Sequence, residues 1–204
     1  MDLKAMFRTL TPLVLASGSP RRKELLASLG LDFSIHPALA PEPAFTPGTD
    51  PGAFALDAAR GKAREVAEMH QEAVVLAADT IVVLKGDVLG KPEDTREALA
   101  MLERLAGREH VVITGCCLLD PKNADEQHFA VRTTVWMQNF GPEVLAAYVA
   151  TGEPMDKAGA YGIQERAACL VERIQGSYTN VVGLPLAEVV QRLLNRSIIT
   201  PHRP

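Results

Sequence analysis

Cysteine is scarce in this chain: Cys116, Cys117 and Cys169 are all that its 204 residues hold. No C-x-x-C pair exists, which removes the commonest zinc pattern, and an odd, sparse count fits a reducing cytoplasm. Cys116 and Cys117 are adjacent, so on a strand they point to opposite faces, each packing as a small apolar residue. Positive charge is also not in excess. With 21 Lys and Arg against 25 Asp and Glu, the net charge is −4. That argues against a protein that coats a nucleic-acid polymer, though not against a small polyphosphate held by a few local cations. Long apolar runs are missing too. Pro12 interrupts the N-terminal stretch, and the run from Leu13 to Ala16 is far shorter than a signal core or the ~18 residues of a membrane span. A soluble, cytoplasmic protein is expected. The five histidines are scattered, and neither G-x-S-x-G nor G-x-x-x-x-G-K-[ST] occurs. A serine triad, a zinc centre and a P-loop are therefore set aside.

What is present is enough for a real core: 47% hydrophobic and 23% charged residues suit one globular domain. Leu13 to Ala16 reads as a short buried strand, followed by a turn and a helix from Arg21 to Leu29 that stops at Gly30. Phe33 to His36 reads as a second strand, and the Pro- and Gly-rich stretch after it as a loop. Asp50 and Pro51 cap a helix with Leu56, Ala59, Ala63, Val66 and Ala67 on one face. Val74 to Ala78 forms a buried strand ending at Asp79, and Ile81 to Leu84 with Val88 and Leu89 suggests a hairpin. A helix carries Ala98, Met101, Leu102 and Leu105, and strands at 111–119 and 129–137 flank a polar turn. A short helix from Pro142 to Thr151, strands at 160–163 and 168–174, and an amphipathic helix around Leu186 to Leu194 complete the pattern. The expectation is an α/β fold with a mixed sheet flanked by helices. The chain divides into an N-terminal extension at 1–12, one domain at 13–195 and a frayed tail at 196–204.

Three stretches have the composition of a site. In LASGSPRRKELL a strand, a tight turn and a helix start meet at two serines and two arginines. Free N–H groups and the positive helix end favour a phosphate there. Ser17 and Ser19 offer hydroxyls, Gly18 lets the backbone approach, and Arg21 or Arg22 can fork onto phosphate oxygens. A capped helix with two surface arginines is the plainer alternative. In AADTIVVLKGDVLGKP, Asp79 at a strand end suits a Mg²⁺ ligand or a general base, with Thr80 beside it and Lys91 on a turn. Each also reads as an ordinary exposed polar residue. Lys62, between Arg60 and Arg64, reads alone as part of a solvated basic face. In DKAGAYGIQ, small residues accompany Asp156, Lys157 and Gln164. The Gln164 amide can both donate and accept, as base recognition requires.

Together LASGSPRRKELL, AADTIVVLKGDVLGKP, ATGEPMDKAGAYGIQ and GSYTNVVGLPL, in this order from Leu13 to Leu194, resemble the Maf-like nucleoside triphosphate pyrophosphatases. The resemblance implies an elongated, two-lobed α/β fold of the inosine-triphosphatase type with a central nucleotide cleft. It implies metal-dependent cleavage of a nucleoside triphosphate to the monophosphate and pyrophosphate, with Mg²⁺ or Mn²⁺ as cofactor. Carried over by position, Asp79 is the proton acceptor, and Arg21, Thr80 and Gln164 set specificity. Ser17, Arg22, Glu42, Lys62 and Lys91 are the other polar cleft residues. Lys62 and Lys91 join Asp79 in catalysis, and Glu42 joins Asp79 at the metal. KAGAYGIQ with SYTNVVGLPL resembles the branch acting on dTTP and UTP, in a role of nucleotide-pool sanitation. A branch acting on 7-methyl-GTP or another modified nucleotide, and a nucleotide-binding regulator of cell division, are the alternatives. The implied partners are a small nucleotide and a second copy in a homodimer, with neither nucleic-acid polymer nor membrane. Pro41 stands where the family usually has an acid before Glu42, and Glu165–Arg166 follows where glycine is usual.

Overall fold

The computed structural model describes residues 5–40 and 43–202. Its elements run β1 (Phe7–Thr9), β2 (Leu13–Leu15), α1 (Pro20–Ala27), β3 (Ser34–Ile35), α2 (Pro51–Ala67), β4 (Val74–Leu84) and β5 (Asp87–Leu89). Then follow α3 (Thr95–Leu105), β6 (Glu109–Asp120), β7 (Asp125–Met137), α4 (Pro142–Val149), β8 (Val171–Gln175), α5 (Tyr178–Val182), α6 (Leu186–Asn195) and β9 (Ile199–Pro201). Seven strands form a mixed sheet in the order β3-β2-β4-β6-β7-β8, with β5 added to β4. The expected α/β architecture of a mixed sheet flanked by helices is what the chain forms.

The long strand β4 organises everything else. One edge pairs with β6 from Val75 to Val83. Its other edge is shared. Strand β2 pairs there in parallel from Val74 to Leu76, and β5 antiparallel from Val82 to Leu84. Residues 77–81 lie between, where β2 has ended and β5 has not begun. A sheet edge left open in its middle is a cleft. The cores divide at the same place. Leu13, Leu15, Leu26, Leu76 and Leu193 gather on one side of it. Val82, Leu89, Leu102, Leu105 and Leu145 gather on the other.

Helix α2 lies close on the sheet because its inward positions, Ala55, Ala59 and Ala63, are small and fully buried. Gly115 of β6 completes the fit. A Cβ there would stand 2.4 Å from the Ala55 carbonyl oxygen and 2.6 Å from the Leu56 nitrogen. Asp50 caps α2 by accepting from the Ala53 N–H at 2.8 Å. Cys116 and Cys117 are both free and buried, and pack into cores on opposite faces of the sheet. Burial pushes both thiols up to about 12, so they are inert packing groups.

The structure corrects three sequence expectations and adds one unexpected helix. Asp79 lies inside β4, not at its end, because pairing with β6 continues through Asp79↔Gly115. Residues 160–163 form no strand: Gly159 and Ala160 adopt φ of 67° and 60°, which breaks an extended run, and 3-10 turns occupy Ala158–Ala160 and Arg166–Leu170. The short helix α5 had no periodicity to announce it. The tail is not frayed at 198–202. Strand β9 pairs with β1 across Phe7↔Pro201 and Thr9↔Ile199, and Phe7, Ile198 and Ile199 are buried.

Candidate active site

The opening beside residues 77–81 is a cleft of about 640 Å³, within the usual range for a small-molecule site. Ser17, Arg21, Arg22, Lys62, Asp79, Thr80, Lys91 and Gln164 all line it. Glu42 lies outside the described residues. The sequence motifs, scattered over 148 positions, thus converge on one place.

Side-chain alternation along β4 explains how two neighbouring residues serve one cleft. Val75, Ala77 and Asp79 face α2, whereas Leu76, Ala78 and Thr80 face the opposite layer. On the α2 face, Lys62 Nζ donates to Asp79 Oδ1 at 2.6 Å, with Asp79 only 8% exposed. The two lie one above the other because α2 sits so close to the sheet. The solvated basic face suggested by sequence is split by helical geometry. Arg60 and Arg64, one turn apart, both grip Glu126 of β7, while Lys62 turns the other way. Asp79 Oδ2 has no protein partner among the described residues, so one carboxylate oxygen is left at the cleft for a ligand or a water.

On the other face, Arg22 is built into the scaffold. Its Nε donates to the Gly183 carbonyl at 2.8 Å, Nη1 to Ser17 Oγ at 3.1 Å and Nη2 to Thr80 Oγ1 at 3.0 Å. Ser17 Oγ also accepts from the Ser19 N–H at 3.3 Å, so its own hydroxyl hydrogen remains for a ligand. Thr80 is more constrained. Thr114 donates to the Asn180 carbonyl at 3.0 Å, so the Thr80 hydrogen goes to Thr114 at 3.0 Å or to the Gly183 carbonyl at 3.4 Å, and its oxygen accepts from Arg22. The Thr80 hydroxyl is therefore spent on holding the cleft wall. Arg21 differs from its neighbour. Only Nη1 is engaged, donating to Asp156 Oδ2 at 3.1 Å, and its other nitrogens have no protein partner among the described residues. Lys91 and Gln164 are exposed at the rim.

Asp156 and Lys157 form a third group. Lys157 is buried, donating to the Glu153 carbonyl at 2.6 Å and to Asp156 Oδ1 at 2.7 Å. Burial works to raise the Asp156 carboxyl, but hydrogen bonds from Lys157 and Arg21 outweigh it and hold it below the ordinary range.

Sequence reasoning missed Thr114, Asn180, Phe45 and Phe54. Asn180 is fully buried and ties α5 to the sheet through Val112 and Thr133, and only its place in the SYTN motif hinted at a role. Phe45 and Phe54 pack edge to face at 5.3 Å beside the cleft, and an aromatic residue in a Pro-rich loop was the available signal.

Among the described residues no group of three His, Cys, Asp or Glu could hold a metal ion alone. The donor set still suits a hard cation brought with a polyphosphate. Such ions bind through one or two carboxylates plus phosphate oxygens, and Asp79 offers open lone pairs at the cleft. No helix among the described residues is long and apolar enough to cross a membrane.

The chain is similar to several known proteins. A protein of Oleidesulfovibrio alaskensis named dTTP/UTP pyrophosphatase is 47% identical over 202 residues, covering 98% of this chain and 92% of its own. One of the same name from Nitratidesulfovibrio vulgaris is 49% identical, covering 97% and 94%. A solved nucleoside-triphosphatase (dITP/XTP pyrophosphatase) from Mycobacterium abscessus aligns at 20% identity with a TM-score of 0.40, over 63% of this chain and 75% of that one. The family pattern described as Maf-like protein matches residues 12–196. With the cleft motifs of that pattern gathered around Asp79 and relatives matching nearly end to end, the chain belongs to the Maf-like family.

Proposed function

We propose that this chain hydrolyses dTTP and UTP to the monophosphate and pyrophosphate, clearing surplus or modified pyrimidine triphosphates in the cytoplasm, as a homodimer. The observation that supports the reading most is Asp79. One of its oxygens is fixed by Lys62 at 2.6 Å, and the other faces a cleft whose rim carries Arg21 and Lys91. That is a positioned acceptor for a proton from water, surrounded by cations suited to a triphosphate. The curated relatives' names supply the pyrimidine preference.

In this mechanism Asp79 Oδ2 accepts a hydrogen bond from the attacking water and takes its proton as oxygen approaches the α-phosphorus. Lys62 holds the carboxylate in place. Lys91 meets charge that builds on the phosphates, Arg21 binds the nucleotide at the cleft mouth, and pyrophosphate departs. Mg²⁺ or Mn²⁺, when bound, neutralises phosphate charge, and Asp79 is the described residue that would hold it together with phosphate oxygens. Most of the acceleration comes from positioning and charge stabilisation.

The test is pyrophosphate release by the purified protein with Mg²⁺ or Mn²⁺ over dTTP, UTP, CTP, GTP, 7-methyl-GTP and ATP. Preferential turnover of dTTP and UTP is expected. Preference for 7-methyl-GTP contradicts the branch, and silence on every nucleotide with binding retained favours a regulator.

A further inference from the structure

Arg21 belongs to α1, which packs with the core on one side of the cleft, whereas Asp156 closes the 3-10 turn Glu153–Asp156 on the other side. Their ion pair at 3.1 Å is therefore a bridge across the cleft mouth. The Asp156 carboxylate is divided between two cations. Oδ1 is taken by Lys157, which is 6% exposed and fixed by the Glu153 carbonyl, so this side is rigid. Oδ2 is left to Arg21.

The anchor itself is well built. Glu153, buried beneath Lys157, accepts from the Tyr148 hydroxyl at 3.0 Å and from the Ala167 and Arg166 N–H groups at 3.3 Å each. Asp156 thus projects from a turn held at several points, while its own side chain is 63% exposed. An exposed ion pair adds little to stability. What it does is restrict a long side chain that otherwise samples many rotamers. Arg21 engages Asp156 through Nη1 alone, so Nε and Nη2 have no protein partner among the described residues. The neighbouring Arg22, committed at all three nitrogens, needs no such help.

We propose that Asp156, held by Lys157, is a positioning residue that presents Arg21 to the nucleotide across the cleft, and thereby sets substrate affinity and discrimination. The inference rests on the pyrophosphatase reading above. Asp156 does not touch the reacting atoms; it acts through Arg21, ordering that side chain before substrate arrives so that the ordering is not charged against binding.

The test is a double-mutant cycle of Asp156→Ala and Arg21→Ala, measured as KM and kcat for dTTP and for GTP, with thermal unfolding of each variant. Asp156→Ala is expected to raise KM for dTTP about tenfold, with the loss falling on KM more than kcat, and to narrow the dTTP-to-GTP preference. In the Arg21→Ala background the same change should have no further effect. Asp156→Asn, which keeps an acceptor oxygen, should fall between. Additive losses from the two alanine variants, or a loss that follows lowered unfolding temperature, overturn the inference while leaving the pyrophosphatase reading intact. A wild-type protein that releases no pyrophosphate from any nucleotide overturns both.

Discussion

Lys62 Nζ reaches Asp79 Oδ1 across 2.6 Å, from the middle of α2 to the middle of β4. Both side chains are largely enclosed, 17% and 11% exposed, so the pair is oriented by packing and shielded from solvent. Lys62→Met should therefore lower kcat by roughly 10²-fold, the scale seen when one preorganised donor is removed from an active site. Steady-state kinetics with dTTP checks this. A fall confined to KM would mean that Lys62 only binds phosphate.

The two adjacent arginines should behave differently. Arg22→Ala removes three hydrogen bonds at once, to the Gly183 carbonyl, Ser17 and Thr80, and should cost about 3 kcal/mol of stability. Arg21→Ala breaks only a pair with exposed Asp156, so stability should change by less than about 0.5 kcal/mol, while affinity for the nucleotide drops. Denaturant unfolding beside substrate titration separates them, and equal destabilisation would contradict the division of labour.

Gly115→Ala should damage fold and site at once. The new Cβ would meet the Ala55 and Leu56 backbone, which cannot rotate away, and overpacking of that kind costs about 1–3 kcal/mol or more. Pushing α2 off the sheet also draws Lys62 away from Asp79, which pairs directly opposite Gly115. Lowered thermal stability with a fall in kcat is expected; unchanged values in both would show that α2 is free to shift.

Much of this was legible in the sequence. The helical stripes of α2, α3 and α6 and the apolar run of β4 follow from periodicity, and the cleft residues from motif order. The fate of Asp79 was not. A strand that seems to end at a carboxylate continues when a partner strand supplies its ladder, and the pairing with β6 is a non-local fact. Strand β9 was hidden for the same reason, since three residues show no period until β1 lies beside them. That Arg22 bonds Thr80, Ser17 and the Gly183 carbonyl while Arg21 bonds only Asp156 depends on distances that no spacing rule encodes.

Acid should weaken the fold through His110. Burial depresses this imidazole to about 4 from an ordinary 6.5, and its Nε2 lies 2.7 Å from the buried Tyr161 hydroxyl. Between those values the unfolded chain binds the proton and the folded chain does not, so stability falls as pH drops through that window and is fully present above it. The whole gap corresponds to about 3 kcal/mol. Unfolding midpoints measured at intervals from neutral pH to pH 4 should decline, and His110→Phe should flatten that decline. A slope unchanged by the substitution would place the acid sensitivity elsewhere.

The measurement closest to the central claim is single-turnover cleavage of dTTP by Asp79→Asn beside the wild type, with nucleotide affinity and thermal unfolding recorded on the same samples. The account expects the rate to fall by about 10³-fold or more, while the fold and nucleotide binding persist. A variant that folds, binds and still cleaves at close to the wild-type rate would contradict it, because water activation would then not depend on Asp79.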